Sequence, residues 1–155
     1  MHISTKIIDL GSCAFRQPNA AHNRQHAGSN SKRCSFVHGY LLKAKFWFEC
    51  EFLDDKNWVV DFGGLGELKK TLEHQFDHTL CIDEKDPLLE EFKQLHEKGG
   101  CDLRIMSGVG IEKTAEYCFK IADEYIRKNT SNRCWVSKVE VWEHERNSAI
   151  YSDKN

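Results

Sequence analysis

The chain has 155 residues, long enough for one domain around one core. Its 22 basic and 24 acidic residues nearly cancel, and the formal charge of −2 excludes a bulk electrostatic case for nucleic acid or an anionic membrane. No apolar run approaches membrane-spanning length, Met1–Lys6 lacks the apolar core of a secretion signal, and seven scattered cysteines read as reduced thiols in a cytoplasmic setting.

Residues 3–15 mix β-branched and small residues around Gly11 and predict a first strand. Gln17-Pro18-Asn19, then Asn23, Gly28, Ser29, Asn30 and Ser31, predict a polar loop that ends near Cys34. His22, His26, Cys34 and His38 follow a His-x3-His-x7-Cys-x3-His spacing. That set offers donors for zinc but matches no closed structural site, and a solvated loop with incidental histidines explains it equally well.

Residues 38–53 give the clearest strand. Leu42, Ala44, Phe46, Phe48, Cys50 and Phe52 fall on one face, and Lys43, Lys45, Glu49 and Glu51 on the other. Charge on one side only predicts an antiparallel sheet with one covered face. Asp54-Asp55-Lys56-Asn57 is a turn, and Trp58–Phe62 is expected to return as a partner strand or strand end.

Asp61-Phe62-Gly63-Gly64 then makes a tight turn into a helix whose apolar face is Leu65, Leu68, Leu72 and Phe76. The helix ends on Asp77-His78. An acid beside an imidazole orients the ring and can relay a proton, although a histidine at a helix C-terminus also has a plain dipole rationale. Asp86-Pro87 opens a short helix carrying Leu88, Leu89, Phe92 and Leu95, Gly99-Gly100 stops it, and 101–106 fits a short strand. A second major helix is predicted over 111–128, with Ile111, Ala115, Cys118, Phe119, Ala122 and Ile126 on one face.

Cys134–Glu143 alternates as a strand, with Trp135, Ser137, Val139, Val141 and Glu143 assigned to one face. Glu143 thus ends a mostly apolar face, at a sheet rim or against a specific partner. Ser148-Ala149-Ile150-Tyr151 can close a hairpin. The order β-β-α-α-β-β predicts an α+β domain spanning 1–155, a four-stranded antiparallel sheet with two main helices on one face.

Cys34-x3-His38-Gly39, Asp61-Phe62-Gly63, Phe76-Asp77-His78 and Glu143 with Ser148–Tyr151 together resemble the 6-pyruvoyl- and 6-carboxy-tetrahydropterin synthases of the tunnelling-fold superfamily. The resemblance covers most of the chain. It implies subunits whose sheets join around a threefold axis, a homotrimer or hexamer, and active sites at subunit interfaces. It further implies a pterin substrate, 7,8-dihydroneopterin triphosphate or a close relative, in a deazapurine (queuosine-type) pathway.

Carried over residue by residue, the resemblance makes Cys34 the base, Asp77 and His78 the relay and Glu143 the pterin anchor. Glu112, in Val109-Gly110-Ile111-Glu112, stands at the family's Pro-Thr-x-Glu position. A thiol can take a proton, and a carboxylate suits the parallel N–H donors of a pterin. The family's zinc is held by three histidines. Here His38 keeps one position, Tyr40 stands at the second and Phe15 at the third, unless His22 supplies it. Residues 84–106 look inserted relative to short family members. The alternative is a metal-free relative that binds a pterin or purine, or scaffolds an assembly, without lyase activity.

Overall fold

Two long strands supply the scaffold. β1 (His2–Phe15) and β2 (His38–Cys50) run antiparallel, and their register sets Phe15 opposite His38 and Cys13 opposite Tyr40. In this computed structural model residues 1–22 and 31–153 are described, the side chains of His22 and Ser31 excepted. The alternation in β2 holds: Leu42, Ala44, Phe46, Phe48 and Cys50 are buried, whereas Phe52 lies beyond the strand end and is exposed.

β5 (Cys134–His144) pairs with β2, and β6 (Asn147–Ser152) pairs with β5, both antiparallel. These four strands form the predicted sheet. Two more extend it past β1. β3 (Thr79–Asp83) runs parallel to the end of β1, β4 (Leu103–Met106) runs parallel to β3, and the full order is β4-β3-β1-β2-β5-β6. The sheet is therefore six-stranded and mixed, not four-stranded and antiparallel. The missed strand, Thr-Leu-Cys-Ile-Asp, has its first four residues buried, so it shows no polar alternation, as is common for parallel strands covered on both faces.

Among the described residues the two main helices are α1 (Gly66–Phe76) and α3 (Ile111–Asn129), and α2 (Leu89–Glu97) is the short helix expected after Asp86-Pro87. Leu65, Leu68, Leu72 and Phe76 are buried in one core with Ala115, Cys118, Phe119, Ala122 and Ile126 of α3 and the inward residues of β1, β2 and β5. α2 buries no residue fully, and Leu88 and Leu95 are exposed beside it.

Trp58–Phe62 does not form a strand. It bends into a 3-10 turn over Phe62–Leu65 that Asp61 caps by accepting from the Gly63 N–H at 2.9 Å. The Tyr125 hydroxyl donates to the Gly64 carbonyl at 2.6 Å and ties this turn to α3.

β5 also departs from simple alternation. Trp47 faces Lys138 while Phe48 faces Val136, so Ser137 is an extra, bulged residue. The bulge changes the phase of the strand. Cys134 and Val136 point into the core before it, and Val139 and Val141 point into the core after it. Val136 thus shares a face with Val139, and Trp135 and Ser137 do not. No described helix is long and apolar enough to cross a membrane.

Candidate functional site

One pocket of about 530 Å³ gathers residues from five parts of the chain. Phe15 and Gln17 come from the end of β1 and just beyond, Cys34 from a 3-10 turn over Ser31–Ser35, and His38 and Tyr40 from the start of β2. Glu112 comes from the first turn of α3, and Glu143, Arg146, Asn147 and Ser148 from the β5–β6 hairpin. A pocket of this size suits a small bicyclic ligand.

Glu143 continues the phase of Val139 and Val141, which the Ser137 bulge brings onto the same face as Val136, and it lines this pocket. Glu143 is half-buried, and its Oε1 accepts from Asn147 Nδ2 at 2.9 Å. Cys34 is exposed, and its carbonyl accepts from the Gln17 N–H at 2.8 Å, which pins the turn to β1. Gln17 reaches the opposite way with its side chain and donates to the Val109 carbonyl at 2.8 Å. A Cβ at Gly110, whose φ is +106°, would press on Gln17 Nε2. Gln17, Arg146 and Asn147 were not singled out from the sequence, since each sits in a turn where a polar residue is unremarkable.

Beside the carboxylates stands a cluster of rings. Phe15 and His38 have centroids 5.0 Å apart, His38 and Tyr40 meet edge-on at 5.5 Å, and Phe15 and Tyr40 lie 5.9 Å apart. His38 Nδ1 donates to the Phe36 carbonyl at 2.7 Å, since a carbonyl can only accept. Burial, and then the negative charges of Glu143 and Cys34, push the Tyr40 hydroxyl above its ordinary range and keep it a protonated donor. One imidazole, a neutral phenol and a phenyl ring do not make a zinc tripod. Among the described residues no three His, Cys, Asp or Glu side chains gather to hold a metal ion. His26 lies outside the described residues, as does the His22 side chain, so neither is placed relative to His38.

Asp77 and His78 are not in this pocket. They stand where α1 gives way to β3, and His78 lines a groove of about 450 Å³ with Val37, Phe92, Leu95 and Asp102. Their placement follows from β1. Register slips between Asp9 and Gly11, and Gly11 adopts a φ of +104°. A Cβ there would collide with the Asp77 carboxylate. With that space open, Asp77 Oδ1 accepts from the Ser12 N–H at 3.1 Å, and the His78 N–H donates to the Ser12 carbonyl at 2.7 Å.

His78 has a φ of +60°, uncommon for a side-chain-bearing residue, and its Nδ1 lies 2.9 Å from Asp77 Oδ1. The carboxylate fixes the ring and leaves Nε2 facing solvent. Within one chain, then, Cys34, Glu112 and Glu143 meet in one pocket, and the Asp77–His78 pair opens onto another surface.

Comparison with known proteins gives this geometry a family. The family model for 6-pyruvoyl tetrahydropterin synthase matches residues 15–154. A 6-carboxy-5,6,7,8-tetrahydropterin synthase of Aquifex aeolicus is 27% identical over 79% of this chain and 77% of its own length. A Pyrococcus abyssi protein provisionally given the same name is 32% identical over 76% of this chain and 74% of its own. Among solved structures, the uncharacterised protein WS1659 of Wolinella succinogenes superposes with a TM-score of 0.79 at 18% identity, covering 99% of this chain and 98% of that one. The 6-pyruvoyl tetrahydropterin synthase of Plasmodium vivax does so with a TM-score of 0.62 at 16% identity, covering 97% and 98%. The two structures share the fold, and the family match extends over nearly all of the sequence from the end of β1 onward: the chain belongs to the 6-pyruvoyl tetrahydropterin synthase family.

Proposed function

We propose that the chain is a pterin lyase of the 6-carboxy-tetrahydropterin synthase type. Its substrate is 7,8-dihydroneopterin triphosphate or a close reduced pterin, destined for a deazapurine pathway. The observation that carries this reading is the meeting of Cys34, Glu112 and Glu143, distant in sequence, around one pocket of bicyclic-ligand size. The names of the curated relatives support it.

Glu143 is the anchor. A pterin presents an amino group and a ring N–H side by side, and a half-buried carboxylate can accept from both. A ring lacking those donors would leave the charge without partners, which gives selectivity as well as affinity. Cys34 is the base that takes a proton from the substrate side chain. His78, oriented by Asp77 through Nδ1, exchanges a proton on the opposite side through Nε2. Because the pair and the pocket open on different surfaces of one chain, the complete site belongs to a homo-oligomer, a trimer or hexamer, in which one copy offers the pocket and another the relay. The ring cluster at Phe15, His38 and Tyr40 does not fit the zinc of the family, so no step is assigned to a metal. That same cluster favours a second reading, a pterin-binding protein without turnover.

The test uses the purified oligomer with 7,8-dihydroneopterin triphosphate, following products by chromatography and binding by calorimetry. Turnover that collapses in Cys34→Ala while pterin binding persists supports the lyase. Binding without turnover in the unmodified protein moves the assignment to the second reading. Absence of pterin binding at millimolar concentration overturns both.

A further inference from the structure

Arg16 and Asp86 stand 70 residues apart and form a two-pronged ion pair, Nε to Oδ2 at 2.8 Å and NH2 to Oδ1 at 3.1 Å. The Asp86 side chain is wholly buried, and the Arg16 side chain is 15% exposed. This is a desolvated fork in which each partner depends on the other, unlike a solvated surface pair. The guanidinium has a third bond, NH1 to the Ser35 carbonyl at 3.0 Å. The preceding carbonyl, that of Cys34, is taken by the N–H of Gln17. Two consecutive carbonyls of the Cys34 turn are therefore held by two consecutive residues of the β1 end.

Asp86 has a second duty. Its Oδ1 accepts from the Leu88 N–H at 2.9 Å, and its carbonyl accepts from the Leu89 N–H at 3.0 Å, which starts α2. One buried carboxylate thus joins the 84–106 segment to the arginine that grips the Cys34 turn.

We propose that Arg16 and Asp86 are positioning residues, through which the 84–106 segment buttresses the Cys34 turn at the pocket. The segment is a fixed support in this role, not a lid. The catalytic consequence rests on Cys34 being the base, as proposed above. The mechanical coupling does not.

Asp86→Asn separates the two. The amide keeps an oxygen for the Leu88 N–H and so keeps the start of α2, but it removes the charge that orients the guanidinium. Arg16→Lys attacks the same clamp from the other side, since one ammonium cannot span both the carboxylate and the Ser35 carbonyl. Hydrogen exchange is read by mass spectrometry over residues 32–40 and 89–97, alongside steady-state kinetics. In both variants exchange is expected to quicken in 32–40 and stay unchanged in 89–97, with kcat down about tenfold and KM within about twofold.

Unchanged exchange in 32–40 overturns the clamp. An equal rise in 89–97 with a matching loss of melting temperature also overturns it, because Asp86 would then serve only to hold the fold. Should Asp86→Asn not fold, Arg16→Lys decides alone. If the unmodified protein shows no turnover, the lyase reading fails while the exchange arm still decides the clamp.

Discussion

The pocket beside Cys34 and the corner that carries Asp77 and His78 are provisioned in opposite ways. The pocket has walls, two carboxylates and a thiol, but its only imidazole among the described residues, His38, is packed into rings and tied to the Phe36 carbonyl. The corner has an imidazole oriented by a carboxylate on strained backbone, but no enclosure, and the His78 side chain is 84% exposed. Proton transfer benefits from fixed geometry and from exclusion of bulk water, and the corner, with His78 largely exposed, has only the first of these. Under the proposed function, the difference teaches that neither region is a complete site by itself. The strain at His78, of order 1–3 kcal/mol for such backbone, makes sense if a second surface closes over it.

The most severe way to break this comparison is to disable each half separately. Cys34→Ala and His78→Ala should each lower turnover about a thousandfold. Co-expressed as mixed oligomers, the two variants should recover measurable turnover, because some interfaces then pair an intact pocket with an intact relay. Folded mixtures that recover nothing would show that the halves do not cooperate between copies.

Next in size is the support beneath the corner. Phe76 is fully buried at the end of α1 and packs edge-on against Tyr117 with centroids 5.4 Å apart. Phe76→Ala should cost about 3–5 kcal/mol of stability, measured by urea denaturation. A loss under about 1 kcal/mol would mean the corner is not seated on the core as described.

A smaller effect sharpens the pocket side. Glu143→Ala should weaken pterin binding by about 2–3 kcal/mol in calorimetry, the range for a charged hydrogen-bonding partner, with the fold intact. Equal affinity would remove Glu143 as the anchor.

The mildest change concerns the rings. Purified protein should carry zinc at less than about a tenth per chain by elemental analysis, and Phe15→His with Tyr40→His should raise this toward one per chain by completing a three-histidine set with His38. Stoichiometric zinc in the unmodified protein would mean that donors other than the described ones complete the set.

Much of this was legible in the sequence where a period was long and one face was wet. β2 showed both faces through its alternating lysines and phenylalanines, and α1 and α3 showed their apolar stripes. β3 was not legible, because five residues directly after a helix carry no alternation. Trp58–Phe62 looked like a strand from its β-prone composition, but the Asp61 cap and the Tyr125 hydroxyl draw it into a turn, and caps depend on tertiary partners. The pocket's acids were recoverable by resemblance to a family. The separation of Asp77 and His78 from them was not, since it depends on how a glycine bulge in β1 meets the end of α1.

The extra residue in β5 carries an implication for how this lineage can change length. Removing Ser137 would shorten the chain by one position six residues away from Glu143 and alter nothing in its immediate neighbourhood. The strand beyond would nevertheless keep its phase, because Val136, Lys138 and Val139 would then alternate as in a regular strand, with Val139 and Val141 still in the core and the acid on the same face. A single deletion at 137 or 138 should therefore be far better tolerated than one elsewhere between 134 and 142, where the residues beyond it change face, and a deep mutational scan that includes deletions would reveal the asymmetry.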